Sequence, residues 1–114
     1  MGVSIENRRW VFRADYLRRV PAAVRFISAE PLLGPLDGLD LDGIDWLIAG
    51  GESGPRHRPV HPEWIRDLRD RCQVAGLPFF FKQWGGRTSK AGGRILDDEV
   101  WSEMPPRAAD LALA

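Results

Sequence analysis

Trp46-Leu47-Ile48-Ala49-Gly50-Gly51-Glu52-Ser53-Gly54 runs four apolar residues into two glycines, a glutamate, a serine and a third glycine. An apolar run this short, bounded by turn residues, reads as a buried strand that ends in a polar turn. Glycine lacks a β-carbon, so Gly50, Gly51 and Gly54 admit positive φ and let a ligand approach main-chain amides. Glu52 and Ser53 add a charge and a hydroxyl at the same point. A tight turn with glycines for steric reasons alone accounts for the same letters, because short glycine motifs are not specific.

The segments on either side repeat the pattern. Val24 to Glu30 (Val-Arg-Phe-Ile-Ser-Ala-Glu) is a second strand, stopped by Pro31 directly after its glutamate. Pro78 to Trp84 (Pro-Phe-Phe-Phe-Lys-Gln-Trp) is apolar through its first half, as a buried parallel strand is, and ends in Lys82 and Gln83. Val3 to Asn7 alternates apolar and polar residues and ends in Glu6 and Asn7.

Helices are expected between the strands. Trp10, Val11, Ala14, Leu17 and Val20 recur at steps of three to four, which predicts an amphipathic helix over Arg8 to Val20, stopped by Pro21. Its arginines read as a solvated face rather than a nucleic-acid stripe, because acids elsewhere balance them and no aromatic platform interleaves them. Trp64, Ile65, Leu68, Cys72 and Ala75 form the apolar stripe of a helix over 62–75, opened by Pro62 and closed by Gly76. Residues 31–45 read as a turn-rich connector whose aspartates lack the spacing of a calcium loop. Gly85 to Gly93 reads as a flexible, basic, glycine-rich loop, Arg94 to Trp101 as a stretch that pairs or packs loosely, and 105–114 as a flexible tail.

With 114 residues the chain is expected to form one α/β domain over 1–104, burying about two-thirds of its unfolded surface. Sixteen basic and sixteen acidic residues cancel, so net charge indicates neither a nucleic-acid nor a membrane partner. One cysteine excludes an internal disulfide, and no apolar run has membrane length, so a cytoplasmic protein is the expectation. Five tryptophans and five phenylalanines argue for a packed core.

Parallel strands share one carboxyl edge, and in α/β sheets ligands bind there. The strand ends would bring Glu6, Glu30, Glu52 and Lys82 to one crevice, where a lysine following three phenylalanines meets an acid or reaches solvent. The ligand-binding candidates are therefore Glu30, Gly50, Gly51, Glu52, Ser53, Lys82 and Gln83, with Glu52 and Glu30 as partners for Lys82 in a partly buried network. Arg56, His57 and Arg58, in a proline-bounded loop, are candidates for holding an anion. No metal site is expected, since His61 fits a helix entry and has no partner at ligand spacing.

Gly-Val-Ser-Ile-Glu-Asn at 2–7, the run from Pro21 to Pro35, Trp46 to Gly54 and Pro-Phe-Phe-Phe-Lys-Gln-Trp-Gly at 78–85 resemble the phage-associated family called domain of unknown function 5131. The resemblance extends to about Trp101. Its full-length members look like radical S-adenosylmethionine barrels with an amino-terminal cysteine cluster for an iron-sulfur centre. The resemblance implies a partial, half parallel β/α barrel of about four strands with flanking helices. It also implies a truncated or split-gene product, inactive alone, whose partner is the missing amino-terminal half or a second copy joined through exposed sheet edges. S-adenosylmethionine and the cluster are implied only for full-length relatives, and no cofactor is expected in this chain. The alternative is a stand-alone module that binds a small ligand, phosphate or nucleotide.

Overall fold

The computed structural model describes residues 1–21, 24–88 and 90–106. Four strands, β1 (Gly2–Ser4), β2 (Phe26–Ala29), β3 (Trp46–Ala49) and β4 (Phe79–Phe81), form one sheet in the order β1-β2-β3-β4. Every neighbouring pair is parallel, with Phe26 opposite Trp46 and Ile48 opposite Phe80. This is the α/β architecture with a four-stranded parallel sheet and flanking helices. The carboxyl ends of all four strands therefore lie along one edge.

The two faces of the sheet differ. Ile27, Ala29, Leu47, Ala49, Phe79 and Phe81 point to one side and are buried with the helix residues Ala14, Leu17, Ile65, Leu68 and Cys72. Side chains alternate along a strand, so Phe26, Ser28, Trp46, Ile48 and Phe80 occupy the other side. There Phe26, Trp46 and Phe80 form a layer of tilted and edge-on rings, with centroids 5.9 and 6.2 Å apart, and among these five only Trp46 is buried.

The predicted helix over Arg8 to Val20 is divided. A 3-10 turn, η1 (Arg8–Trp10), is capped by Asn7, whose Oδ1 accepts from the Arg9 amide at 2.9 Å, and a short helix α1 (Arg13–Arg18) follows. Trp10, Val11 and Phe12 are poor helix formers, and the break leaves Trp10 flanked by the guanidiniums of Arg9 and Arg13. The second helix, α2 (Pro62–Ala75), falls on the predicted span with Pro62 in its first turn. Gly76 closes it at φ 69°, and the Gly76 and Leu77 amides satisfy the last carbonyls. β1, β2 and β4 are shorter than the sequence pattern suggests, although main-chain bonds run on past their ends, with the Gly50 amide donating to the Ala29 carbonyl at 3.2 Å and the Lys82 amide to that of Ala49 at 2.8 Å.

Residues 31–45 contain no helix, yet they are not a loose connector. The Leu32 amide donates to the Gly50 carbonyl at 2.8 Å and the Leu33 amide to that of Glu6 at 2.7 Å, while Leu32, Leu36 and Leu39 are buried. The chain after β4 is likewise tied down. A hairpin of β5 (Ile95–Leu96) and β6 (Glu99–Val100) turns through Asp97 and Asp98, both at positive φ, which suits the twist of a two-residue hairpin. Trp101 to Glu103 then runs antiparallel along the outer edge of β4, through the bonds Phe81 N to Trp101 O (2.8 Å) and Glu103 N to Phe79 O (3.1 Å). No helix among the described residues is long and apolar enough to cross a membrane. Of the tail expected over 105–114, residues 107–114 lie outside the described residues.

Candidate functional site

Glu30 and Lys82 leave strands that are not neighbours, yet Lys82 Nζ lies 3.2 Å from Glu30 Oε1. They meet over β3 because the residue between them is Gly50. A β-carbon there would stand 3.3 Å from both Glu30 Cγ and Gln83 Nε2. Gln83 is 8 % exposed, and its Nε2 donates to the Gly51 carbonyl at 3.1 Å. Glu30, Gly50, Lys82 and Gln83 thus form one polar group on the carboxyl edge, with the Glu30 side chain 25 % and that of Lys82 56 % exposed. The pair faces solvent, so it is not the partly buried network expected from the sequence.

The four charges expected to share one crevice are divided among three ion pairs. Glu6 lies 3.8 Å from Arg13. Glu52 turns away from Lys82 and is held by Arg58, whose amide, Nε and Nη2 donate to its two oxygens at 2.8, 3.0 and 2.7 Å. Those bonds, the side-chain one foremost, hold the Glu52 carboxyl down at about 2 and raise the Arg58 guanidinium. An arginine six residues downstream wins over a lysine from another strand because the 52–58 loop folds back on itself, which spacing along the chain does not reveal.

The same clasp changes the role expected of Arg56, His57 and Arg58. Arg58 is committed to Glu52, and His57 Nδ1 lies 2.8 Å from the Gly54 carbonyl oxygen. Arg56 is exposed. The Glu52–Arg58 pair therefore closes the loop, and of the three candidates Arg58 is the one already engaged by a carboxylate. Ser53 is exposed and forms a parallel bridge with Gly86, apart from Glu30 and Lys82.

Gly51 serves the backbone. A β-carbon there would fall 1.8 Å from the Trp84 carbonyl oxygen, and one at Gly85 would fall 2.3 Å from that of Glu52. The two segments pass at main-chain contact and bond through Gly51 N to Gln83 O (2.8 Å) and Gly86 N to Glu52 O (3.0 Å). Of the three central glycines, Gly50 opens the polar edge, Gly51 permits the crossing, and Gly54 takes φ 124° in the turn.

Two residues that the strand-end pattern does not include also reach this edge. A cavity of 290 Å³ is lined by Lys82, Gln83, Lys90, Gly93 and Arg94. Lys90 comes from the stretch read as a flexible basic loop and Arg94 opens the one read as pairing or packing loosely, where composition alone did not specify their direction. Larger cavities of 450 and 530 Å³ lie beside Pro78 at the amino-terminal end of β4, away from the strand ends where α/β sheets bind ligands.

The residues present do not fit an iron-sulfur centre. A cluster takes several thiolates, and the one cysteine, Cys72, is fully buried within α2, where burial pushes its thiol up to about 12. Among the described residues no group of three or more histidine, cysteine, aspartate or glutamate side chains is arranged to hold a metal ion.

The fold and edge define a parallel α/β protein with a polar group at its strand ends. The family model described as Protein of unknown function (DUF5131) matches residues 1–105, and the chain belongs to that family. No curated protein and no solved structure matches it.

Proposed function

We propose that this chain binds a small polar ligand at the carboxyl edge of its sheet, as part of a parallel β/α barrel of the radical S-adenosylmethionine type, and that it starts no radical chemistry by itself. The observation that carries the binding site is the meeting of Glu30 and Lys82 over Gly50, beside the buried Gln83 amide. An acid, a base and an amide at the ends of parallel strands offer both signs of charge and a directed donor to a ligand. The sequential, all-parallel order β1-β2-β3-β4 supports the barrel, since such barrels add parallel strands one after another, although here residues 31–45 join β2 to β3 without a helix.

Further strands, from an amino-terminal half or a second copy, would pair at β1. The outer edge of β4 already bonds to backbone at Trp101 and Glu103, whereas the alternation of Met1 and Ile5 toward β2 turns Gly2 and Ser4 outward, where among the described residues only the Arg13 side chain reaches the Ser4 carbonyl, at 2.9 Å. A stand-alone phosphate or nucleotide module is the other reading; the Glu52–Arg58 clasp counts against the 56–58 loop as its anion site.

The test is a titration of the purified chain with S-adenosylmethionine, mononucleotides and amino acids, followed by amide resonances. Binding at the edge moves the Glu30, Gly50 and Lys82 amides and is weakened by Glu30→Gln. Shifts confined to other regions, or none with any of these ligands, would refute the site. Anaerobic addition of iron and sulfide should leave the visible spectrum empty, and stoichiometric cluster formation would refute the inactivity.

A further inference from the structure

The 290 Å³ cavity beside Lys82 has a one-sided lining. Its polar side chains are Lys82, Gln83, Lys90 and Arg94, with no carboxylate among them. Glu30 pairs with Lys82 from outside the lining, and among the described residues no carboxylate forms an ion pair with Lys90 or Arg94. Three cations against one acid leave two positive charges in excess.

These groups are held by bonded backbone. The Trp84 amide donates to the Gly93 carbonyl at 2.9 Å, which anchors the loop to the end of β4, and the Gly93 amide donates to the Lys90 carbonyl at 3.2 Å. Gly93 sits at φ 69°, a left-handed position that closes the turn between Lys90 and Arg94. The Arg94 guanidinium lies 5.4 Å from the centre of the Phe80 ring, a cation–π contact that restrains its long side chain. Phe80 and Lys82 project from the same face, so Arg94 is brought over the sheet toward Lys82. Gln83 is fixed from below by the Gly51 carbonyl.

We propose that this cavity binds the phosphate group of a small phosphomonoester. A phosphomonoester carries about −1.5 to −2 charges near neutral pH, which matches the excess. The arginine fork and two ammonium groups suit its oxygens, which accept from several directions at once. A monocarboxylate has the same oxygen chemistry and half the charge, so it binds more weakly. The assignment rests on the strand-end reading above and names the ligand class for its Lys82 side.

The experiment titrates the chain separately with inorganic phosphate and with acetate at low salt, following amide resonances. Phosphate should shift the Lys82, Gly93 and Arg94 amides at lower concentration than acetate does, and added sodium chloride should weaken the effect. Lys90→Glu and Arg94→Glu should each weaken phosphate by at least about tenfold, the scale of a lost charged hydrogen bond. Both residues are exposed, so melting curves should show that the variants stay folded. Shifts centred on Arg56 to Arg58, or equal responses to acetate and phosphate, would overturn the assignment. If phosphate leaves the cavity unmoved while Glu30, Gly50 and Lys82 respond to other small ligands, the cavity assignment fails and the strand-end site stands. Silence to every ligand removes both.

Discussion

Gly51 has no room for a β-carbon, because the obstructing atom is the Trp84 main-chain oxygen at 1.8 Å and not the end of a flexible side chain. Gly51→Ala is expected to cost upward of about 3 kcal/mol in denaturant melts. Gly50→Ala meets side-chain atoms of Gln83 and Glu30 at 3.3 Å, which can give by a few tenths of an ångström, and should cost much less. Equal losses would mean that the two segments do not cross there. Glu52 makes a pH prediction. Its carboxyl is held at about 2 against an ordinary 4.5, so the folded chain binds its proton less readily than the unfolded one. The stability this confers is complete above 4.5 and lost as pH falls toward 2. Glu52→Gln should lower the melting temperature at neutral pH, and its difference from wild type should shrink across that window. A constant difference would show that the Arg58 clasp does not form in solution.

At the scale of elements, the carboxyl edge is organised by what β3 leaves out. A larger residue than Gly50 would stand between β2 and β4 and keep Glu30 from Lys82. The contact is exposed, and exposed ion pairs contribute little, so Lys82→Ala should cost about 0.2–1 kcal/mol. The coupling in a double-mutant cycle with Glu30→Gln should be no larger than that, and a coupling of several kcal/mol would place the pair in a buried network. The hairpin β5–β6 is attached to α2 through Asp97, whose carboxylate accepts from Arg66 Nε at 3.0 Å and Arg69 Nη1 at 2.5 Å. Those two arginines, Arg69 foremost, hold the Asp97 carboxyl below its usual range. Arg69 also lies over the Trp101 ring, so helix, hairpin and edge segment share one charged contact.

For the whole molecule, Cys72 reports on opening of the core. Its thiol is fully buried and pushed up to about 12, so a disulfide reagent should leave it untouched in the native state and label it once denaturant unfolds the chain. Prompt labelling under native conditions would show that α2 does not pack as described. The sequence by itself determined the order of strands and helices and the residues at each strand end. Apolar runs, helical spacing and proline and glycine stops are local signals, and Trp46 to Ala49 and the 62–75 helix follow directly from them. The break between Trp10 and Arg13 was hidden because the apolar spacing continues across it. The parallel order could be argued from right-handed crossovers, although β2 and β3 are joined without a helix. Only the tertiary structure decided which charges meet. Lys82 takes Glu30 and not Glu52, Arg58 claims Glu52, and Lys90 and Arg94 come to the edge, because partner choice between exposed charges depends on distances of a few ångströms set by loop closure.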